Sequence, residues 1–200
     1  MAMTTILGIG GSPRKDGNSD ILLKEILAGA ARAGAATEEV QLRDLHFQSC
    51  IGCEGCRPDH ICKVKADMQQ LYPKISAAQG LALVSPTHNY NITALMKAFI
   101  DRMYCYFGVT DDRPRDWWST LAGQGRRAGL VVIGEQPEAD DANGLSMTAL
   151  RLPITSYGYE IAGELPVIGI FDKGGVLDKP GVLADARKLG SELAKPLMKA

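Results

Sequence analysis

Four cysteines lie close together in the first third of the chain, at the spacing C-x2-C-x2-C-x5-C: Cys50, Cys53, Cys56 and Cys62. Four thiolates within reach of one centre suit a [4Fe–4S] cluster or a tetrahedral zinc ion. Structural zinc usually takes two separated cysteine pairs, so this spacing favours iron and sulfur over zinc. Reactive or structural thiols that hold no metal are the third interpretation. The remaining cysteine, Cys105, lies on the apolar face of a predicted helix and is expected in the core.

A second stretch, GGSPRKDGNS at residues 10–19, follows the apolar run TTILGI and leads into a predicted helix. Glycine backbone, serine hydroxyls, the Asn18 amide and the Arg14 guanidinium can all bind a phosphate, and the start of a helix favours an anion. A glycine turn with a helix cap is the alternative. The Rossmann fingerprint fails at Pro13 and the P-loop pattern fails at Asn18. Dinucleotide and nucleoside-triphosphate sites are therefore disfavoured.

A third stretch, SPTHNYNITALMKAFIDRM at residues 85–103, places polar and planar side chains after a strand and before an amphipathic helix. Such side chains could frame an aromatic ring system. By themselves they are also compatible with a turn and a helix cap, for which Thr93 is the candidate.

The elements that must position these residues alternate along the chain. Apolar runs of strand type are predicted at 4–9, 37–42, 80–85, 128–134 and 159–170, and amphipathic helices at 19–33, 68–78, 94–106, 145–157 and 182–195. Strands that are apolar on both faces predict an α/β fold, a parallel sheet with helices on both faces. For a doubly wound five-stranded sheet we take the order 2-1-3-4-5. In that order the loops after strands 1 and 3 open onto one crevice.

Composition limits the class of protein. The 200 residues suggest a single domain, 1–200, with a cysteine-rich loop at about 44–67. The chain has 22 Lys and Arg against 23 Asp and Glu, which gives no bulk electrostatic reason to bind nucleic acid or an acidic membrane. No apolar run approaches the ~18 residues that a membrane span needs, and no secretion signal is recognised, so we expect a cytoplasmic protein.

The motifs GSPRKDGNS and SPTHNYNITALMKAFIDR together resemble those of the flavodoxin-like NADPH-dependent FMN reductase family, and CIGCEGCRPDHIC resembles the iron–sulfur flavoprotein branch of that family. This resemblance implies bound FMN, NAD(P)H as co-substrate and a homodimer or homotetramer. The residues implied for the FMN phosphate are Ser12, Arg14, Gly17, Asn18 and Ser19. Those implied for the isoalloxazine ring are Pro86, Thr87, His88, Asn89, Tyr90 and Asn91. Those implied to close the site are Gly134, Glu135 and Gln136.

The main functional hypothesis is an FMN-dependent oxidoreductase that passes electrons from NAD(P)H to a small acceptor such as a quinone or a flavin. The alternative is an electron carrier that links FMN, a cluster on the four cysteines and a redox protein partner. A zinc-stabilised binding module is the third hypothesis. Because the flavin itself performs hydride chemistry, no catalytic side chain is assigned. The position of the cysteines after strand 2 predicts that a cluster would lie at the same sheet edge as the flavin loops, although the long loop could also carry it across to the flavin of a neighbouring subunit.

Overall fold

The computed structural model describes residues 4–136 and 144–198. Its strands are β1 (Thr5–Gly10), β2 (Ala36–Gln41), β3 (Gly80–His88), β4 (Asn91–Ile92), β5 (Phe107–Val109), β6 (Trp117–Ser119), β7 (Arg127–Ile133) and β8 (Glu160–Val167). Its α-helices are α1 (Asn18–Arg32), α2 (Leu71–Ala77), α3 (Ala94–Arg102), α4 (Gly144–Ser156) and α5 (Pro180–Leu197).

The main sheet is parallel and has the order β2-β1-β3-β7-β8. These five strands are the five predicted from the apolar runs, so the predicted order 2-1-3-4-5 and the doubly wound α/β class are confirmed. The order reverses between β1 and β3. The loops that follow these two strands therefore flank the switch point, where open α/β sheets bind ligands.

The core forms two layers because alternate residues of each strand point to opposite faces of the sheet. Ile6 of β1 packs with helices α1 and α5, whereas Leu7 and Ile9 pack on the face covered by α2, α3 and α4. Helices α1 and α5 approach closely at Gly29 and Gly190. A Cβ atom on Gly190 would lie 1.9 Å from the carbonyl oxygen of Ile26, so this contact requires glycine.

Three segments differ from the prediction. The segment after residue 85 continues as a strand to His88 and turns back through Asn89 and Tyr90, both at positive φ, into β4. It is therefore a tight hairpin, because Asn at positive φ suits a two-residue turn. Helix α3 ends at Arg102 and gives way to a 3-10 turn, and β5 and β6 form a further hairpin that the sequence did not predict. The predicted cap is confirmed, since the Thr93 hydroxyl accepts the Met96 N–H.

Within the two described ranges, no helix combines the length and the apolar character needed to cross a bilayer.

Candidate functional site

A cavity of about 240 Å³ lies at the carboxyl edge of the sheet. Its lining residues come from the loops after β1, β3, β7 and β8: Ser12, Pro13, Arg14, Gly17, Asn18, Ser19, Pro86, Thr87, His88, Ile133, Glu135, Ile170 and Phe171. The volume lies just below the range for small-molecule sites, about 300–1,000 Å³. The two motifs that are about 70 residues apart in sequence thus form one site, as the switch-point argument predicts.

The start of α1 supplies this cavity with hydrogen-bond donors. Within residues 4–136 and 144–198, no side chain caps this helix. Among the described residues, the backbone N–H groups of Gly17, Asn18 and Ser19 have no hydrogen-bond acceptor, and neither does the Ser19 hydroxyl. Ser19 is nevertheless buried. Unpaired N–H groups at the positive end of a helix dipole bind an anion such as a phosphate.

A buried ion pair supports the same loop from behind. The Asp20 carboxylate is 3% exposed and accepts hydrogen bonds from both terminal nitrogens of Arg43, each at 2.8 Å. The carboxylate also accepts the N–H of Asp16, a residue at positive φ. Burial opposes the charge of Arg43, but its hydrogen bond to Asp20 and the nearby carboxylates outweigh this effect, so the Arg43 pKa is raised. Because Arg43 neutralises Asp20, the helix start can still attract an anion.

A chain of buried hydrogen bonds ties the loop after β1 to the loop after β3. The Thr93 hydroxyl donates to the carbonyl oxygen of Gly11 at 2.6 Å, and the Thr93 N–H donates to the Ser85 hydroxyl at 3.2 Å. The Gly11 N–H donates to Val84 at 2.8 Å. A Cβ atom on Gly11 would lie 2.9 Å from the Met96 side chain, so glycine permits this close approach. These bonds fix the relative position of the two cavity walls.

The loop after β8 forms a wall that the sequence analysis did not predict. The Asn18 amide donates to the Asp172 carbonyl at 2.9 Å, and its oxygen accepts the Val176 N–H at 3.2 Å. Arg14 donates to the Phe171 carbonyl at 3.2 Å and lies 5.6 Å from the centre of its ring. The side chain of Asn18, predicted as a phosphate ligand, therefore binds protein backbone. The Ser12 hydroxyl likewise bonds locally, to the backbone N–H and carbonyl of Arg14.

The predicted ring-binding and closing residues divide into two groups. Pro86, Thr87, His88 and Glu135 line the cavity. Asn89, Tyr90, Asn91, Gly134 and Gln136 are not among the lining residues. Asn89 and Tyr90 form the turn of the β3–β4 hairpin, and Tyr90 is 62% exposed at that turn. Gly134 instead bonds through its backbone to Val167 and Ile170, and so joins the ends of β7 and β8.

A second, smaller pocket contains all four clustered cysteines. Its lining residues are Cys50, Cys53, Glu54, Cys56, Cys62, Lys63, Val64, Arg102, Tyr104 and Cys105. All five cysteines are free thiols. Among the described residues, no three or more His, Cys, Asp or Glu side chains converge as a single metal ion requires. The geometry therefore provides no ready tetrahedral zinc site, although the four thiols surround one space.

Charge around this pocket favours one thiolate. Burial opposes ionisation of Cys62, but hydrogen bonds from Tyr72 and from the Val64 backbone, together with the Arg102 charge, outweigh it and lower the Cys62 pKa. Burial raises the pKa of Cys56 and raises that of Cys105 to about 12. The Gly52 N–H donates to the Cys50 sulfur at 3.4 Å. Hydrogen bonds to sulfur and a nearby cation suit an anionic iron–sulfur cluster, so the donor set fits that group.

The cysteine loop does not remain at the carboxyl edge, contrary to the prediction. It packs against the C-terminal end of α3, since Arg102, Tyr104 and Cys105 line the cysteine pocket. Helix α3 starts at the carboxyl edge and runs back along the sheet, so its end lies away from that edge. The cysteine pocket and the larger cavity share no lining residue. Ion pairs of Glu54 with Arg115 and of Arg57 with Asp111 tie the loop to the segment between β5 and β6.

Sequence comparison places the chain in a family. Residues 4–136 match the family model described as NADPH-dependent FMN reductase. The chain belongs to the NADPH-dependent FMN reductase family. Over 190 residues, the chain is 30% identical to an iron–sulfur flavoprotein from Archaeoglobus fulgidus. The matched region covers 94% of the chain and 78% of that relative. The resemblance to the family and to its iron–sulfur flavoprotein branch is thereby confirmed.

Other relatives are matched over a shorter length. An iron–sulfur flavoprotein from Methanocaldococcus jannaschii is 35% identical over 97 residues, which cover 48% of this FMN reductase family member. The match spans 50% of that relative's own length.

Solved structures share the fold. An NAD(P)H:quinone oxidoreductase from Methanothermobacter marburgensis superimposes on this protein with a TM-score of 0.72 at 19% sequence identity. The alignment covers 96% of this protein and 100% of the oxidoreductase. An FMN-dependent NADH-azoreductase from Bacillus anthracis, in complex with FMN, has a TM-score of 0.70 at 17% identity, with coverage of 96% and 100%. At these identities the likeness shows the flavodoxin-like fold alone.

Proposed function

We propose that the protein is an FMN-dependent oxidoreductase that takes electrons from NAD(P)H and passes them to a small acceptor such as a quinone or a flavin. One observation carries this proposal: a single cavity joins the uncapped start of α1 to the polar end of β3. Membership of the FMN reductase family and the FMN-bound azoreductase of the same fold support it.

In this proposal the phosphate of FMN is held by the N–H groups of Gly17, Asn18 and Ser19 and by the Ser19 hydroxyl, with Arg14 as the nearby cation. Pro86, Thr87 and His88 contact the isoalloxazine ring from one side of the cavity, and Glu135 borders it from the β7 side. Ile170 and Phe171 exclude water from the remaining wall. When bound, FMN supplies the hydride and one-electron chemistry, so the side chains are needed for binding and orientation.

The phosphate site is tested by removing one donor. Replacing Ser19→Ala should weaken FMN binding about 10- to 100-fold, because a hydrogen bond to a charged group is worth roughly 1.5–3 kcal/mol. Ser76→Ala is the matched control, since the Ser76 hydroxyl hydrogen-bonds to the Tyr106 hydroxyl and does not line the cavity. Fluorescence titration of the apoprotein with FMN measures both variants. Unchanged affinity in Ser19→Ala would refute the phosphate placement, and FAD as the main flavin released by heat would refute the proposal itself.

A second candidate function is an electron carrier that links FMN to an iron–sulfur cluster on Cys50, Cys53, Cys56 and Cys62, and from there to a redox protein partner. The specific observation that favours it is the pocket that all four cysteines line, with the positive charge of Arg102 at its wall. The names of the A. fulgidus and M. jannaschii relatives point the same way.

The two candidates are separated by a cysteine variant assayed without oxygen. Cys53→Ala should lose iron, labile sulfide and electron transfer to a one-electron protein acceptor, while it retains FMN and the quinone rate. Cys105→Ala is the control, because Cys105 lines the same pocket but lies outside the C-x2-C-x2-C-x5-C motif. Equal retention of both activities in Cys53→Ala would exclude the carrier and leave the flavin oxidoreductase.

A further inference from the structure

Arg102 is a buried cation without a carboxylate partner. Its side chain is 2% exposed, and among the described residues no Asp or Glu forms an ion pair with it. Its terminal nitrogens donate to the Gln48 carbonyl at 3.2 Å and to the Val64 carbonyl at 2.8 Å. A buried charge is costly unless hydrogen bonds satisfy all its donors or an opposite charge lies nearby.

The remaining contacts of Arg102 point to sulfur. Its Nη2 atom lies 3.5 Å from the Cys62 sulfur, and its buried Nε atom has no hydrogen-bond acceptor in the part of the chain that the structure describes. The side chain lines the cysteine pocket. A second buried arginine provides the contrast: Arg126 directs its nitrogens at backbone carbonyls around the end of α2 and at Gln124, and has no bare nitrogen. Of these two arginines, Arg102 therefore retains a donor that can stabilise an anion, whereas Arg126 does not.

We propose that Arg102 is the counter-charge of an anionic sulfur centre at the four cysteines and that it sets the reduction potential of that centre. This inference rests on the second candidate function. A cluster held by the four cysteines would become more negative by one charge on accepting one electron without a proton. A fixed cation beside it stabilises the reduced form more than the oxidised form and thereby raises the potential. Arg102 is thus a positioning residue that also tunes the centre electrostatically.

A structural role alone makes a different prediction. By bonding to Gln48 and Val64, Arg102 also ties the two arms of the cysteine loop together. If that were its whole effect, its loss would lower cluster content without changing the potential of the clusters that form. The potential therefore distinguishes the two roles.

The test is an anaerobic redox titration with dithionite, in which the solution potential is measured while visible absorption reports reduction of the cluster. Iron and sulfide are analysed in the same protein. We expect Arg102→Gln to shift the midpoint potential to a more negative value, Arg102→Lys to keep it close to that of the wild type, and the control Arg126→Gln to leave it unchanged. An unchanged potential in Arg102→Gln with full iron content would overturn the inference.

Cluster loss is also decisive. If Arg102→Gln does not retain iron, retention of iron at a near-wild-type potential in Arg102→Lys supports the counter-charge, because lysine keeps the charge and loses the guanidinium fork. Iron loss in both variants would overturn the counter-charge role and would show that Arg102 only holds the cysteine loop together. Wild-type protein without iron and sulfide after anaerobic reconstitution would overturn both this inference and the carrier function, while FMN binding and quinone reduction would still be measurable.

Discussion

Asp20 and Arg43 form a bidentate ion pair beneath the proposed phosphate loop, with both nitrogen–oxygen distances at 2.8 Å. The side chains are only 4% and 12% exposed. We expect Arg43→Met to lower the free energy of unfolding by about 3–5 kcal/mol, because it leaves a buried carboxylate unpaired. The double variant Asp20→Asn with Arg43→Met should recover part of that loss. Urea unfolding measures both variants.

A surface pair provides the control for this prediction. Arg187 also forms an ion pair, with Glu25, but the two side chains are 41% and 24% exposed. Arg187→Met should therefore change the free energy of unfolding by no more than about 1 kcal/mol. Equal losses of unfolding free energy in Arg43→Met and Arg187→Met would show that burial does not strengthen the effect of the Asp20–Arg43 pair.

Thr93 connects the two loops that form the cavity. Its hydroxyl donates to Gly11 and accepts the Met96 N–H, so Thr93→Val removes both a helix cap and a buried donor. We expect a loss of about 2–3 kcal/mol in the free energy of unfolding and weaker FMN binding, whereas Thr93→Ser retains the hydroxyl and should remain close to wild type. Urea unfolding and FMN titration test this, and a stable, tightly binding Thr93→Val protein would refute it.

Asn18 acts on the cavity through the loop after β8. Because its amide bonds to Asp172 and Val176, Asn18→Ala should release the wall that contains Phe171 and weaken FMN binding about tenfold. The matched control is Gln79→Ala, whose amide also donates to one backbone group and accepts from another, between α2 and β1. Stopped-flow measurement of FMN release is expected to show faster dissociation only for Asn18→Ala. Equal release rates would show that this loop does not hold the flavin.

The buried Tyr157 is expected to make the free energy of unfolding depend on pH in the alkaline range. Its ring stacks on Phe107 with centroids 4.3 Å apart, and burial raises its pKa above the ordinary value of 10.0. The unfolded chain therefore loses this proton at lower pH than the folded protein. The stabilisation is complete below about pH 10 and is lost as the pH rises above that value.

The corresponding variant removes the titrating group. From about pH 8 to about pH 11, wild-type stability should fall more steeply than that of Tyr157→Phe, because phenylalanine cannot ionise. Urea midpoints at the two pH values measure the slopes. Equal slopes of stability against pH for wild type and Tyr157→Phe would contradict the raised pKa of Tyr157.

The strand order was taken from a known doubly wound fold, whereas the sequence by itself determined the fold class and the two loops of the cavity. Each follows from local pattern: β1 and β3 are apolar runs of strand length, and Gly17 precedes a helix whose first N–H groups must be unpaired. The Thr93 cap is also set by local sequence, because the Thr93 hydroxyl accepts the N–H of Met96, three residues later. The family could also be recognised at this level, since the motifs are contiguous.

The tertiary structure decided which groups in those motifs are free to bind a ligand. Asn18 is a suitable phosphate ligand by residue type, but its partners Asp172 and Val176 are more than 150 residues away, and no local pattern records such a contact. The wall around Phe171 and the burial of Arg102 against Cys62 are likewise long-range results. The cysteine spacing could indicate a shared centre. Its place beside the end of α3 depends on how the loop packs, which spacing alone does not encode.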